Sequence, residues 1–453
     1  MTPPVTADKK VIRAWAMYDW ANSVYPLVIN STIFPIYYKV MTAYGLKGDA
    51  AENAVVDFFG FKLYNMVLYS YAISVAYLII AAFSPILSGI ADYSGSKKKF
   101  LRFFCYLGSL SCILFITFNQ TNVEWGILLV IMACIGFSGS IPFYNAFLPE
   151  IAPKDQQDAV SAKGFSYGYT GSVILLVINL AMVLSPKTFG LEDEIHAFCI
   201  SFVMVGLWWA GFAQITFRKL HETPTGKKVD GEIIRKGYRE LIRVWNELKN
   251  NPVLKKYLGS FFVFNMAVQT VMLLATTFAL TEVKQYNDAG VLEPMGSDKL
   301  ITSILIIQVV AIPGAYFFSW LSGKQGNLRS LYLALAIWIG VCIGAYFVQV
   351  DTEFFVVAAI VGLIMGGIQS MSRSTYSKLL PETVDHASYF SFYDVADKMG
   401  IVVGTFAYGL IFQLTGSMRN SVLAIVVFFV LGLILLLRVP KVSNLLPSAN
   451  KRN

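Results

Sequence analysis

Charged residues, histidines and paired cysteines are scarce in this sequence of 453 residues. Only 14% of the residues are charged and three are histidines, which is far from the composition of a soluble domain. The five cysteines lie in apolar runs without any C-x-x-C pair, so neither disulfides nor zinc ligands are indicated. Walker and H-E-x-x-H motifs are lacking too, and we therefore expect no metal, no cofactor and no ATP-driven chemistry.

Long apolar runs fill most of the chain instead. Hydrophobic residues make up 56% of the sequence and aromatic residues 15%, as in proteins whose helices cross a bilayer and end in interfacial Trp and Tyr. At about 20 residues per crossing, the runs predict twelve transmembrane helices. They lie near 14–38, 64–91, 100–118, 124–149, 164–184, 196–217, 256–281, 299–322, 328–349, 354–379, 389–415 and 419–438.

Basic residues predict the orientation of these spans. With the N-terminus in the cytoplasm, 29 of the 36 Lys and Arg residues fall in or beside cytoplasmic segments and 7 fall outside. We therefore expect both termini to be cytoplasmic, in a bacterial inner membrane. We attribute the net charge of +8 to basic residues in the loops of a membrane protein, so no nucleic-acid partner is expected.

A polar segment, residues 218–255, divides the predicted spans into two groups of six. Its apolar residues recur at helical spacing between Arg and Lys, which predicts an amphipathic helix on the inner membrane face. A calmodulin-type target helix is the alternative. The predicted parts are an N-terminal six-helix bundle (1–217), a cytoplasmic linker (218–255), a C-terminal six-helix bundle (256–438) and a cytoplasmic tail (439–453).

Two motifs recur in both halves at nearly one offset. YNAFLPE ends in Glu150 and YSKLLPE ends in Glu382, 232 positions later, and DYSGSKK is followed by GKQGNLR 231 positions later. Such repeats predict the duplication of a six-helix unit, related by an axis along the membrane normal. The predicted fold class is therefore all-α integral membrane, with twelve transmembrane helices in two six-helix bundles.

The loop GIADYSGSKKK is similar to the signature that major facilitator transporters carry between their second and third spans. Tyr93 and Ser96 depart from that signature, and a merely solvated Lys-rich turn is the alternative. We expect Asp92 to lie against the first turn of the eleventh span, near 390–398, where a helix dipole attracts negative charge. The matching residues are Gly89, Asp92, Gly95, Lys97 and Lys98.

Further stretches resemble one branch of that superfamily, the autophagy-related vacuolar amino-acid effluxers and their bacterial relatives. One departure is the pair Met266 and Ala267, where many relatives carry Asp-Gly. The resemblance implies the major facilitator fold and solute export, with amino acids as cargo. The stretches that carry it are YDWANSVYP, FYNAFLPEIAP, FSYGYTGS, FNMAVQTVM, GGIQSMSRSTYSKLLPE and YFSFYDVADKMG.

Polar residues inside three predicted spans form candidate stripes along a transport path. Each such group must face protein or water, because lipid offers it no partner. Hydrogen bonding between helices is the alternative for Asn22, Asn30 and Gln369. The stripes are Asp19, Asn22, Pro26 and Asn30 on the first span, Asn265, Gln269 and Thr276 on the seventh, and Gln369, Arg373 and Tyr376 on the tenth.

We expect Asp19 and Arg373 to be the two most deeply placed full charges in the predicted spans. Each lies about six residues from the cytoplasmic end of its span, roughly 9 Å at helical rise, so the two can meet at one depth. They form either an ion pair that closes an inner gate, or ligands for a substrate carboxylate and an ammonium or coupling proton. Two charges that face water independently are the third possibility.

These features predict a secondary active transporter rather than an enzyme. It would move a small solute by alternating access, with export of amino acids or related zwitterions as the first hypothesis and a proton or cation as the coupling ion. The expected partners are that solute and the lipid bilayer, with the protein acting as a monomer. A membrane sensor or transceptor, or a membrane enzyme without transport, is the alternative.

Overall fold

The computed structural model describes residues 7–46, 54–222, 233–286, 290–415 and 417–442. Parts of the predicted linker and tail, residues 223–232 and 443–453, lie outside this range. The α-helices in chain order are α1 Lys9–Asn22, α2 Phe34–Thr42, α3 Asn65–Ser94, α4 Lys97–Leu114, α5 Val123–Ala146, α6 Leu148–Ile151, α7 Gln157–Leu184, α8 Glu194–Lys219, α9 Ile233–Asn250, α10 Pro252–Glu282, α11 Ser297–Gln325, α12 Asn327–Phe347, α13 Asp351–Leu379, α14 His386–Thr415 and α15 Met418–Leu437.

Most of these helices are long and apolar enough to cross a membrane. Within the described ranges nine qualify, and α10 makes ten if its two segments, bent by 43°, form one span. The predicted first span is also helical, as α1, a π-helix at Tyr25–Ile33 and α2, and the eleventh is α14. Large apolar side chains such as Phe103, Phe347 and Phe406 are exposed on the outside of the bundle. An apolar exterior of this kind suits contact with lipid.

Helices from the two ends of the chain pack against each other. The eleventh predicted span, α14, packs against α3 and α5, while α7 packs against α11 and α13. On the other side α1 packs against α7 and α8. Residues from both ends of the chain therefore meet along α7 and α14.

Two short hairpins accompany the helices of this all-helical architecture. Strands β1 (Val55–Phe58) and β2 (Phe61–Tyr64) pair antiparallel, with Gly60 at a φ of 86° in the turn. Strands β3 (Lys284–Tyr286) and β4 (Leu292–Pro294) pair likewise. Each hairpin lies in a segment that joins two long helices, where polar residues interrupt the apolar runs.

Sharp turns connect the helix pairs at the predicted inner face. Helix α3 is followed by Gly95, whose φ of 63° is left-handed, and α11 is followed by Gly326, with a φ of 89°. Glycine adopts such angles without the clash that a Cβ would cause. The two turns occupy the matching places of the repeated motif.

The amphipathic helix predicted within 218–255 is α9, and it packs on protein as well as presenting an apolar surface. A Cβ added to Gly89 of α3 would lie 2.4 Å from the carbonyl oxygen of Gly237, so the two backbones touch. Arg243 pairs with Asp385, just before α14. Helix α9 thus contacts the C-terminal part of α3 and the residue before α14 together. Its exposed apolar residues are Ile234, Tyr238, Ile242 and Trp245.

Candidate functional site

Asp19 of α1 and Arg373 of α13 form an ion pair inside the bundle. The Arg373 Nη1 lies 3.2 Å from Asp19 Oδ2 and Nη2 lies 3.3 Å from the same oxygen. Their residues are only 6% and 3% exposed. Tyr144 donates its hydroxyl to this carboxylate oxygen at 2.8 Å. The two charges therefore meet, as their matching depth allows, and do not face water independently.

The remaining donors of Arg373 are also satisfied. Its Nε donates to the Ser161 hydroxyl at 2.9 Å and its Nη2 to the Ser161 carbonyl at 2.9 Å. Nη1 also donates to Asn145 Oδ1 at 3.3 Å. The guanidinium lies over the rings of Phe165, at 4.2 Å, and Trp15, at 4.9 Å. A planar guanidinium suits such stacking better than an ammonium does.

Small residues of α7 let α1 and α7 approach each other closely beside this ion pair. A Cβ on Gly164 would lie 2.4 Å from Asp19 Oδ2, and one on Gly168 would lie 2.4 Å from the hydroxyl of Ser23. Gly171 abuts the Trp20 carbonyl in the same way. Stripes of small residues at this spacing are typical of tightly packed membrane helices.

The polar residues expected along the first span contact different helices. A π-helix has more residues per turn than an α-helix, so the segment Tyr25–Ile33 rotates everything that follows it. Asp19 faces Arg373, whereas Asn30 accepts a bond at 3.3 Å from the hydroxyl of Tyr69 on α3. Asn22 is buried beside Asp19 and its Nδ2 has no partner among the described residues.

The stripe expected on α13 also divides. Gln369 accepts the Tyr169 hydroxyl of α7 at 2.6 Å, on the side of Arg373. Tyr376 instead donates to the Tyr389 carbonyl at 2.6 Å and stacks with Tyr393 at 5.0 Å. Tyr376 therefore packs within an aromatic cluster between α13 and α14.

On α10, the predicted Asn265 and Gln269 share one partner that was not predicted. Asn265 Nδ2 donates to Asp397 Oδ1 at 2.7 Å, and Gln269 Nε2 donates to the same oxygen at 3.0 Å. Thr276 lies beyond the bend of α10. Asp394, Asp397 and Lys398 of α14 were missed, although three charges within one apolar run are a signal that the sequence already carries.

Asp92, at the end of α3, contacts the first turn of α14 as expected. Its carboxylate accepts the backbone N–H of Ser388 at 2.7 Å and of Ala387 at 3.2 Å. These residues come slightly before the expected range 390–398, because α14 begins at His386. A carboxylate at this position stabilises the helix N-terminus.

The two lysines of the loop motif that match the signature also contact residues of other segments. Lys97 pairs with Glu150, which also lies 2.9 Å from Nδ1 of His386. Lys98 Nζ donates to the Leu220 carbonyl at 2.8 Å. Glu382, the sequence counterpart of Glu150, is exposed. The repeated motif therefore places its two glutamates in different surroundings.

A second buried ion pair was not predicted. Lys378 Nζ lies 2.5 Å from Asp158 Oδ2, which also accepts the Ser322 hydroxyl at 2.7 Å. Asn327 donates to Asp158 Oδ1 at 2.8 Å. Their contact joins the first turn of α7 to α13 and to the turn between α11 and α12.

The contacts Asp19–Arg373, Asp92–Ser388 and Asp158–Lys378 link helices from the two ends of the chain near the predicted inner face. In the part of the chain that the structure describes, no group of three or more His, Cys, Asp and Glu residues is arranged to hold a metal ion. The arrangement can bind charged groups and exchange ion-pair partners, which is chemistry suited to moving a charged solute rather than to breaking bonds.

Known proteins are similar to this chain over nearly its whole length. Residues 7–444 match the family described as Vacuole effluxer Atg22 like. YxiO of Bacillus subtilis, an uncharacterized MFS-type transporter, is 30% identical over 435 residues, 95% of each chain. Autophagy-related protein 22 of Kluyveromyces lactis is 24% identical over 479 residues, 94% of this chain and 92% of its own.

Solved structures agree on the fold. FucP, a major facilitator superfamily transporter in the outward conformation, gives a TM-score of 0.69 at 14% identity, covering 96% of this chain and 99% of FucP. The proton:xylose symporter XylE gives 0.67 at 12% identity, covering 96% and 97%. The chain is therefore a membrane transporter rather than an enzyme, and it belongs to the Atg22-like family of the major facilitator superfamily.

Proposed function

We propose that this protein exports small zwitterionic solutes, amino acids above all, by alternating access. The observation that carries the proposal is the buried Asp19–Arg373 pair, which joins a helix from each end of the chain. The description of the matching family as vacuole effluxers supports the direction of transport. An ion gradient would supply the energy.

The proposed architecture has twelve spans in two six-helix halves, 1–217 and 256–438. The ten helices counted above are joined by Lys9–Thr42 and by α14 as the first and eleventh spans. The matching positions of the two hairpins and of Gly95 and Gly326 support a duplication. The linker 218–255, the tail 439–453 and both termini would be cytoplasmic, in a bacterial inner membrane, with the protein acting as a monomer.

The chemistry of an amino acid matches the pair. Its carboxylate can accept the forked donors of a guanidinium, and its ammonium can pair with a carboxylate. A zwitterion entering between Asp19 and Arg373 would replace each charge's partner with a new one, so neither is left alone in a low-dielectric interior. In its absence the two side chains hold α1 and α13 together and close the inner side.

Counterflow of labelled amino acids in proteoliposomes tests transport directly. We expect the wild-type protein to exchange external label for internal unlabelled amino acid, and Arg373→Lys to weaken apparent affinity because the fork is lost. Lys39→Met, a change at an exposed lysine of α2, is the matched control and should leave exchange unchanged. An absence of exchange for every amino acid tested would refute amino acids as cargo.

A double-mutant cycle separates a gate from a ligand site. If the pair only closes the gate, Asp19→Asn/Arg373→Gln should be less impaired than the two single changes added together, since each single change leaves a buried charge unpaired. If the pair also binds substrate, the double variant should be inactive. Mild, additive effects on affinity and exchange rate would contradict both roles.

A further inference from the structure

Three charged residues of α14 form a cluster separate from the Asp19–Arg373 pair. Lys398 Nζ lies 3.0 Å from Asp394 Oδ1 and 2.6 Å from Asp397 Oδ2. The spacing of i, i+3 and i+4 places all three on one face of the helix. Two carboxylates and one ammonium leave one negative charge unbalanced inside the bundle.

The two carboxylates differ in what else they bind. Asp397 accepts two amide N–H bonds through Oδ1, from Asn265 and Gln269 of α10, in addition to its contact with Lys398. Donors of this kind favour the ionised carboxylate. Asp394 is 2% exposed, and its Oδ2 has no hydrogen-bond partner in the part of the chain described. The unbalanced charge therefore belongs on Asp394.

The helices around this cluster supply few other ionisable groups. Tyr77 of α3 faces Lys398, whose Nζ lies 6.0 Å from the ring centroid, and Cys134 of α5 lies near the same ammonium. Tyr393 of α14 interacts with Asp397. From α9, Arg243 and Glu247 contact only the first turn of α14 and the residue before it. The neighbouring residues of α10 are neutral amides, and the described cations of α15, Arg419 and Arg438, lie at its ends.

We propose that Asp394 binds a proton during the transport cycle, while Asp397 and Lys398 remain an ion pair. A proton needs a single oxygen, and Oδ2 of Asp394 is that oxygen. A metal cation needs several ligands, and the described residues hold no group of three acidic, His or Cys side chains arranged for one. The step is an addition of H⁺ to the carboxylate, which makes the cluster electrically neutral.

Protonation at this place would act on the contact between the two ends of the chain. Helix α14 carries Asp394 and packs against α3 and α5 on one side and α10 on the other. A neutral Asp394 no longer forms an ion pair with Lys398. The Lys398 ammonium then pairs with Asp397 alone and moves relative to Tyr77 of α3. Protonation of Asp394 would couple transport to a proton gradient, so this proposal rests on the proposed transport function.

Infrared difference spectroscopy tests the site without any substrate. The full-length protein in lipid is titrated over about pH 4 to 9, the range in which buried carboxyls take up protons. We expect a protonated-carboxyl band in the wild type that is lost in Asp394→Asn. The band should persist in Asp394→Glu with a shifted midpoint, and in the control Asp351→Asn, which changes a carboxylate paired with Lys299 at the other end of the bundle.

Transport supplies the second measurement. Asp394→Asn should retain counterflow exchange but lose accumulation driven by a proton gradient, whereas Asp351→Asn should retain both. The proposal is overturned if Asp394→Asn keeps the wild-type band, or if the wild type shows no such band. If Asp394→Asn does not fold, the midpoint shift in Asp394→Glu decides the matter. Failure of wild-type counterflow alone would refute the amino-acid cargo and leave the spectroscopic result standing.

Discussion

One added methyl group at Gly164 would test the inner ion pair most directly. In Gly164→Ala the new Cβ would lie 2.4 Å from Asp19 Oδ2, 2.8 Å from Arg373 Nη2 and 3.0 Å from the Trp15 ring. The first distance is about 1 Å short of the 3.4 Å at which ordinary contact begins. Either the carboxylate leaves the guanidinium, or α7 moves away from α1.

The size of the effect follows from these contacts. Overpacking of this kind costs about 1–3 kcal/mol, and loss of the buried pair would add to that. A change of about 1–3 kcal/mol moves a two-state equilibrium about 5- to 150-fold. We therefore expect Gly164→Ala to favour the inner-open state by at least about fivefold.

Hydrogen–deuterium exchange and counterflow measure this shift. In Gly164→Ala, amides at the inner ends of α7 and α13 should exchange faster and the counterflow rate should change. Gly211→Ala is the matched control, because an added Cβ there meets nothing within 4 Å. Identical exchange and transport in Gly164→Ala and the wild type would refute the argument that the pair fills this space.

Two further predictions concern the contacts near the inner face. Asp92→Asn should leave membrane insertion intact but slow counterflow, because a charge–dipole attraction of about 0.3–2 kcal/mol at the α14 N-terminus is lost. Counterflow at the wild-type rate would show that Asp92 contributes only to the orientation of the helices in the membrane. Lys378→Met should lower the apparent melting temperature, because Asp158 keeps its charge without its cation, at about 3–5 kcal/mol. Asp158→Asn/Lys378→Met should recover part of that loss, and equal melting of both variants would argue against the pair.

The sequence predicted the helices and two contacts between distant parts of the chain. Apolar runs of span length predicted the long helices, and the loop motif predicted the contact between Asp92 and the first turn of α14. Asp19 and Arg373 could be matched because both lie about six residues from an inner end. Depth along a helix can be counted from sequence, and the count placed Asp19 and Arg373 at one level. The expectation that these two are the deepest charges is wrong, because Asp397 and Lys398 lie further inside the helix that begins at His386.

Direction around a helix was harder to predict. The π-helical segment Tyr25–Ile33 changes the pitch of the first span, and no pattern in its residues predicts that change. Tyr376 has the spacing of a path-lining residue but packs among aromatic rings. Partners such as Asp158 and Lys378 depend on how separate helices are rotated against each other, which a single sequence does not specify.

The Arg243–Asp385 contact of helix α9 and the Asp19–Arg373 pair lie in two different electrostatic environments. Arg243, which binds Asp385, has a half-exposed side chain, whereas the Asp19–Arg373 pair is almost wholly enclosed. Dissolved salt weakens exposed charge pairs over a Debye length of about 8–10 Å but hardly reaches enclosed ones. Ionic strength would therefore loosen the linker helix while leaving the inner pair intact, so the salt dependence of transport reports which of the two contacts limits opening.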